Sequence, residues 1–208
     1  MTIMSEAPVT GGPYRRPIVA AAIEVTVRSG WSSVTMSKLA EIVGVSRQTV
    51  YNELGSKNQL AEAMISHELG RFLSIVQDAF EGHPENLVEA IHDAVRGVLE
   101  LADDNLLLRA IVSATHGADT ELLPLLTVRA GSLLSEATLM LRGRVHAYGP
   151  PLDAEQLNVA IDVVVRTVLS HVMQPSDTPA RTADALAWMA SRVLGASTSR
   201  SLRHPSQD

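Results

Sequence analysis

Five hydrogen-bonding side chains crowd into six consecutive positions of the stretch GVSRQTVYNELGSK, residues 44–57: Arg47, Gln48, Thr49, Tyr51 and Asn52. Arginine can bind the O6 and N7 edge of guanine bidentately, glutamine and asparagine can do the same for adenine, and a threonine can touch the thymine methyl. Around them stand groups suited to phosphate oxygens. Thr35 and Ser46 offer hydroxyls beside backbone amides at helix starts, Tyr51 offers its phenol, and Lys38 and Lys57 are point charges. Phosphate contacts fix the register of a protein on a duplex, and base contacts choose the sequence. The chemistry on offer is therefore recognition rather than bond-making.

Such side chains need elements that hold them out. If residues 47–54 are helical, Val50 and Leu54 fall on one side, where Leu39, Val43 and Val45 can receive them, and the polar residues fall on another. Upstream, TMSKLAEIVG places a capping Thr35 before Met36, Leu39, Ala40 and Val43, with Gly44 to stop the helix. Ser46 caps the next helix and Gly55 closes it. Two short helices joined by about three residues must cross sharply. Before them, a helix from Pro17 to Gly30 carries Ile18, Ala21, Ala22 and Val25 on one stripe. After them, Ser56 and Gln59 form a capping box that opens a long helix to Phe80, and Pro84 starts another run.

The remaining segments are helical by period, each introduced by a turn signal, giving about nine helices. The run DVVVRTVL is β-like in isolation. Leu157, Ile161, Val164, Val168 and Val172 keep the helical period across it, so it is read as helix.

Composition agrees. The chain has 208 residues, 46% hydrophobic but only 3% aromatic, a palette suited to packed helices. With no cysteine, disulfide frameworks, thiolate zinc sites and cysteine nucleophiles are excluded. The seven histidines show no zinc-helix spacing, and no P-loop, dinucleotide fingerprint or nucleophile elbow is present, so neither metal, cofactor nor enzyme activity is expected. Asp103 and Asp104 are better explained as helix-start residues than as an acid/base pair. No apolar run approaches the ~18 residues of a membrane span, and a cytoplasmic protein is expected. The net charge of −6 is uneven: residues 1–66 hold six basic and five acidic side chains, net +1, and the rest eleven and eighteen, net −7. A locally basic head on an acidic body can still meet a polyanion.

Between about Pro17 and Met64 the chain closely resembles the N-terminal domain of the TetR family of bacterial transcriptional regulators. The family motif reads approximately T-x-x-x-[IL]-A-x-x-x-G-V-S-x-x-T-[LV]-Y-x-x-F-x-[SN]-K-x-x-L. Thr35, Leu39, Ala40, Gly44, Val45, Ser46, Thr49, Val50, Tyr51, Ser56, Lys57 and Leu60 stand at its places. The resemblance implies that Thr35, Tyr51 and Lys57 touch phosphates and that Ser37, Arg47, Gln48, Thr49 and Asn52 lie at or near base edges. Leu54 replaces the usual aromatic, and Glu53 stands where a histidine or another neutral or basic residue is frequent. A carboxylate there would repel phosphate, so no DNA contact is carried onto Glu53; it is left to pair with a neighbouring base or to exclude wrong sites. The string SRQTVYNELGSK is also similar to regulators found beside alkane-hydroxylase and fatty-acid genes in actinobacteria.

The resemblance extends to an all-α architecture: a three-helix helix-turn-helix DNA-binding domain over 14–60, then a larger helical effector-binding and dimerisation domain over 61–195. Residues 1–13 and 196–208 read as a disordered leader and a flexible tail. The middle helices would line an effector pocket with Phe72, Val76, Ile91, Leu107, Ile111, His116, Leu126 and Met140. So sparse a polar inventory favours an apolar or amphipathic effector. The last two helices would pair with their twins across a two-fold axis, through Leu157, Ile161, Val164, Val168 and Val172 on one and Leu186, Trp188, Met189 and Val193 on the other. These stripes could equally face the domain's own core. The expected function is a homodimeric regulator, most often a repressor, released from a palindromic operator by its effector. An all-helical enzyme or lipid carrier with a merely structural helix hairpin is the alternative, and an architectural DNA binder without an effector is a second.

Overall fold

A computed structural model describes residues 12–109, 135 and 137–195 of the chain, and every regular element among them is helical. Helix α1 (Arg15–Ser29) starts two residues before Pro17. The proline therefore sits within the first turn, where its missing N–H would have had no intrahelical partner anyway. Ile18, Ala21, Ala22 and Val25 form its buried stripe. Gly30, at φ 78° and ψ 160°, turns the chain into a short 3₁₀ turn, Trp31–Ser33, that buries Trp31.

Helix α2 (Met36–Val43) is capped by Thr35, whose hydroxyl accepts from the Lys38 amide at 3.2 Å. Gly44 ends it in the left-handed region at φ 75°, which a side chain would strain. Helix α3 (Arg47–Leu54) follows, with the Ser46 hydroxyl accepting from the Thr49 amide at 3.0 Å. Helix α4 (Lys57–Gly82) opens on the expected capping box: Gln59 donates its amide to Ser56 Oγ at 3.2 Å, and the Ser56 amide donates to Gln59 Oε1 at 2.8 Å.

Helix α5 (Leu87–Asp104) begins three residues later than Pro84 suggested, because Asn86 supplies the cap by accepting from the Glu89 amide. Residues 106–109 and 137–146 are also helical. Helix α6 (Ala154–Met173) has its own capping box from Asp153 and Gln156, and α7 (Pro179–Gly195) closes the described chain. DVVVRTVL thus lies inside α6.

Three clusters of buried side chains hold these helices together. In the head, α1, α2, α3 and the first two turns of α4 bring together Ile18, Leu39, Val50, Leu60 and Met64. Each such side chain contributes roughly 1.5–3 kcal/mol by leaving water. The core runs past residue 60, since Ala61, Ala63 and Met64 belong to it and α4 continues unbroken into the body.

In the body, Phe80 of α4 meets Ala90 and Ala94 of α5, Val145 of the helical segment 137–146, and Ile161 of α6. Tyr148 packs edge-on against Phe80 at 5.9 Å, and its hydroxyl donates between the Phe80 and His83 carbonyls at 3.0 and 2.8 Å. That satisfies backbone acceptors at the end of α4. The third cluster joins Val95 and Leu99 of α5 to Ala183 and Leu186 of α7, so α5 is the shared centre of the body.

Candidate nucleic-acid interface

Helix α3 is pinned by two of its eight side chains. Val50 is fully buried and Leu54 is 3% exposed, both in the head core. Arg47, Gln48, Tyr51 and Asn52 are exposed on the outer side, with Thr49 half-buried beside them. The outer residues are paired one helical turn apart. Arg47 donates to the Tyr51 hydroxyl at 3.2 Å, with its guanidinium 5.4 Å from the ring centre, and Gln48 Nε2 donates to Asn52 Oδ1 at 2.9 Å. Such pairs restrict the rotamers of long side chains before any partner arrives, which reduces the ordering cost of binding.

The expected phosphate ligands gather around this helix. Ser37 and Lys38 are exposed on the first turn of α2, behind Thr35. The Thr35 and Ser46 hydroxyls accept from capping amides, and Ser46 Oγ also shares a hydrogen bond of 2.9 Å with Thr49 Oγ1. Lys57 is less free than its sequence suggested, because its ammonium sits over the Trp31 ring at 4.8 Å. That places the charge at the start of α4 and holds it there.

Glu53 finds a place that sequence reasoning left open. Its carboxylate oxygen Oε1 accepts from the Tyr14 amide at 3.3 Å, and its backbone carbonyl accepts from Arg15 Nη1 at 2.8 Å. The carboxylate thus faces the start of α1. These contacts border a cleft of about 380 Å³ behind α3, lined by Arg15, Tyr51, Asn52, Gln59 and Glu62 among others. Neither contact carries a local signal, since the partners lie 38 and 39 positions away.

A small core that presents a polar helix across a sharp turn, set on a helical body, defines the class of helix-turn-helix DNA-binding regulators. Residues 18–64 match the family described as bacterial regulatory proteins, tetR family, and residues 86–192 match the bacterial tetracyclin repressor, C-terminal domain. Over 180 residues the chain is 28% identical to the HTH-type transcriptional regulator AlkX of Mycobacterium tuberculosis, covering 82% of this chain and 84% of that one. The crystal structure of the TetR family repressor AlkX from a Dietzia strain, implicated in biodegradation of n-alkanes, superposes with a TM-score of 0.69 at 27% identity, over 86% of this chain and 96% of that one. The fatty acid degradation regulator FadR of Bacillus halodurans shares the fold at 19% identity, with a TM-score of 0.54 over 88% and 95% of the two chains. The chain belongs to the TetR family of bacterial transcriptional regulators.

The described body residues expected around an effector fall in more than one place. Val76 and Ile91 pack beside the Phe80 cluster, and Phe72 and Met140 are half-buried. Leu107 is 4% exposed and belongs to the head core, because the turn after α5 folds back against α4. Asn105 fixes that turn by accepting from the Leu108 amide at 2.9 Å and donating to Glu68 of α4. Ile111, His116 and Leu126 lie outside the described residues.

The residues expected at the dimer contact divide between the chain's own clusters and its surface. Leu157 and Ile161 pack into the Phe80 cluster, and Val168, Val172, Leu186 and Met189 into the cluster beside α5. Val164 is half-buried. Trp188 and Val193 stay outside, 63% and 40% exposed, with Arg192 stacked on the Trp188 ring. The apolar surface that α6 leaves in water is its opposite face, Val159, Val163, Leu169 and Met173. Helical period shows that a face is apolar; it does not show what covers it.

Proposed function

We propose that the chain is a cytoplasmic, homodimeric repressor whose α3 enters the major groove of a near-palindromic operator. The observation that carries this reading is the division of α3 into a buried Val50/Leu54 side and an exposed, pre-paired polar side. Arg47, Gln48, Thr49 and Asn52, with Ser37, contact base edges; Thr35, Lys38, Ser46, Tyr51 and Lys57 hold phosphates. Two heads related by the dimer axis meet grooves about one helical turn apart or somewhat more. The exposed faces of α6 and α7, with Val163, Leu169, Met173, Trp188 and Val193, supply the contact between protomers.

The body binds an apolar effector, a hydrocarbon or acyl chain, and does so better in a conformation that spreads the heads, so effector and operator oppose each other by linkage. Support comes from the Dietzia repressor implicated in biodegradation of n-alkanes. The test is a gel shift on DNA upstream of the gene, repeated with medium- and long-chain alkanes and acyl ligands. Sequence-specific binding that these ligands release is the expected result. Binding that no such ligand weakens, with no rise in melting temperature, rejects the effector class; no binding to any promoter DNA rejects the repressor.

A further inference from the structure

We infer that Glu53 is a positioning residue for operator recognition: a two-ended clasp that sets the angle of α3 by tying its last turn to the start of α1. The inference rests on the reading of α3 as the recognition helix. One end of the clasp is the carboxylate, which accepts from the Tyr14 amide at 3.3 Å. Tyr14 precedes the first residue of α1, where unsatisfied amides and the helix dipole favour a negative group. The other end is the Glu53 carbonyl, in the last turn of α3, where carbonyls lack intrahelical donors and the dipole favours a cation; Arg15 Nη1 donates to it at 2.8 Å. A single residue thus links a helix start to a helix end with complementary charge at both contacts.

The buried side of α3 does not fix this angle by itself. Val50 and Leu54 are one turn apart on one line, and a helix seated on one line can still roll about it. Glu53 lies on the flank of that line and resists the roll. The roll would carry Arg47, Gln48, Tyr51 and Asn52 together across the groove, and the directional base contacts lose most by it. Phosphate contacts from Thr35 and Lys38 on α2 would survive it.

The approach at Gly12 agrees with a fitted contact, since a Cβ there would come within 2.2 Å of Glu53 Oε1. Because the atom in the way is the end of a side chain, Gly12→Ala should push the carboxylate off the Tyr14 amide and leave the fold intact.

The test uses the full chain and an operator selected from random DNA. Affinities for that operator and for random-sequence duplex are measured at fixed salt for wild type, Glu53→Ala, Glu53→Gln, Gly12→Ala and Arg47→Ala, alongside melting temperatures. Glu53→Ala and Gly12→Ala are expected to lower operator affinity by about tenfold, the equivalent of one lost base contact, with random-duplex affinity and melting temperature close to wild type. Glu53→Gln, which keeps an oxygen acceptor for the Tyr14 amide, should recover most of the loss. Tighter or unchanged operator binding by Glu53→Ala overturns the clasp and leaves the carboxylate as a repulsive charge only. Equal losses on operator and random DNA also overturn it. Should Glu53→Ala fail to fold, the Gly12→Ala and Glu53→Gln pair decides by the same ratio. If Arg47→Ala leaves operator affinity unchanged, the recognition-helix reading itself has failed, a result distinct from failure of the clasp.

Discussion

Arg47 and Tyr51 share a hydrogen bond and a ring contact on the outer side of α3. Both are exposed, so truncating Arg47 removes little from the fold. Arg47→Ala should leave the melting temperature within about a degree or two. It should cost about 1–3 kcal/mol of operator affinity and relax the preference at one base position, which binding to a panel of single-base operator variants would show. Lys38, an exposed charge on α2, belongs to the other kind of contact. Lys38→Ala should weaken all duplexes alike and reduce the slope of log affinity against log salt by about one. Unequal weakening across sequences would contradict its assignment to phosphate.

At the scale of elements, local rules made much of the head legible. Thr35, Ser46 and the Ser56/Gln59 pair cap as their spacing predicts, because a cap involves residues only three apart. Gly44 shows the same locality at the helix end: its φ of 75° is one that alanine adopts only with strain, although nothing lies within 4 Å of a Cβ placed there. Gly44→Ala should therefore destabilise by about 1 kcal/mol through backbone strain alone, measured by denaturant unfolding. Illegible were the contacts that depend on how distant elements meet. His83, at the end of α4, and His92 of α5 both reach Asp93, at 2.7 and 2.8 Å, and His92 also reaches Asp184 of α7 at 3.2 Å. The histidines are nine positions apart and Asp184 is far along the chain, so no spacing rule joins them.

Hydrogen bonding to Asp93 raises the His92 pKa above its ordinary 6.5, against a smaller opposing effect of burial, and His92 in turn holds Asp93 below its usual range. Arg96, one turn along α5, adds favourable charge to Asp93 and Asp184. A histidine with a raised folded pKa stabilises fully below 6.5 and loses that contribution as pH rises through the folded value. Asp93 stabilises above its unfolded pKa and loses its contribution as pH falls through its own depressed value. The α4–α5–α7 junction should be tightest between these limits. Thermal unfolding from pH 5.5 to 8.5 should show wild type losing its advantage over His92→Gln as the pH rises; parallel curves would exclude the linkage.

For the whole molecule, the sequence announced an all-helical regulator with a small head and a larger body, and the family matches across both parts agree. Which apolar residues face outward could not be read from it. Period alone groups Leu157 with Ile161 and Val168, but only the packing of α6 against α4 and α5 shows that these serve the chain's own core. The exposed Trp188 and the outer face of α6 are among the described surfaces with apolar area to bury. If two protomers meet there, Trp188→Glu or Val163→Glu should convert the dimer to monomer in sedimentation and abolish tight operator binding, while the folded monomer keeps its helical content. Retention of the dimer would place the interface elsewhere.

Leu107 changes what can be exchanged between relatives. It enters the head core from beyond α4, and Asn105 fastens its turn to Glu68, so the seam between head and body is filled from both sides. A chimaera that joins residues 12–66 to another regulator's body would inherit a socket without its plug. Hybrid sensors built from this chain should therefore keep residues 105–109 with the head, or rebuild a leucine-sized filler in the new body.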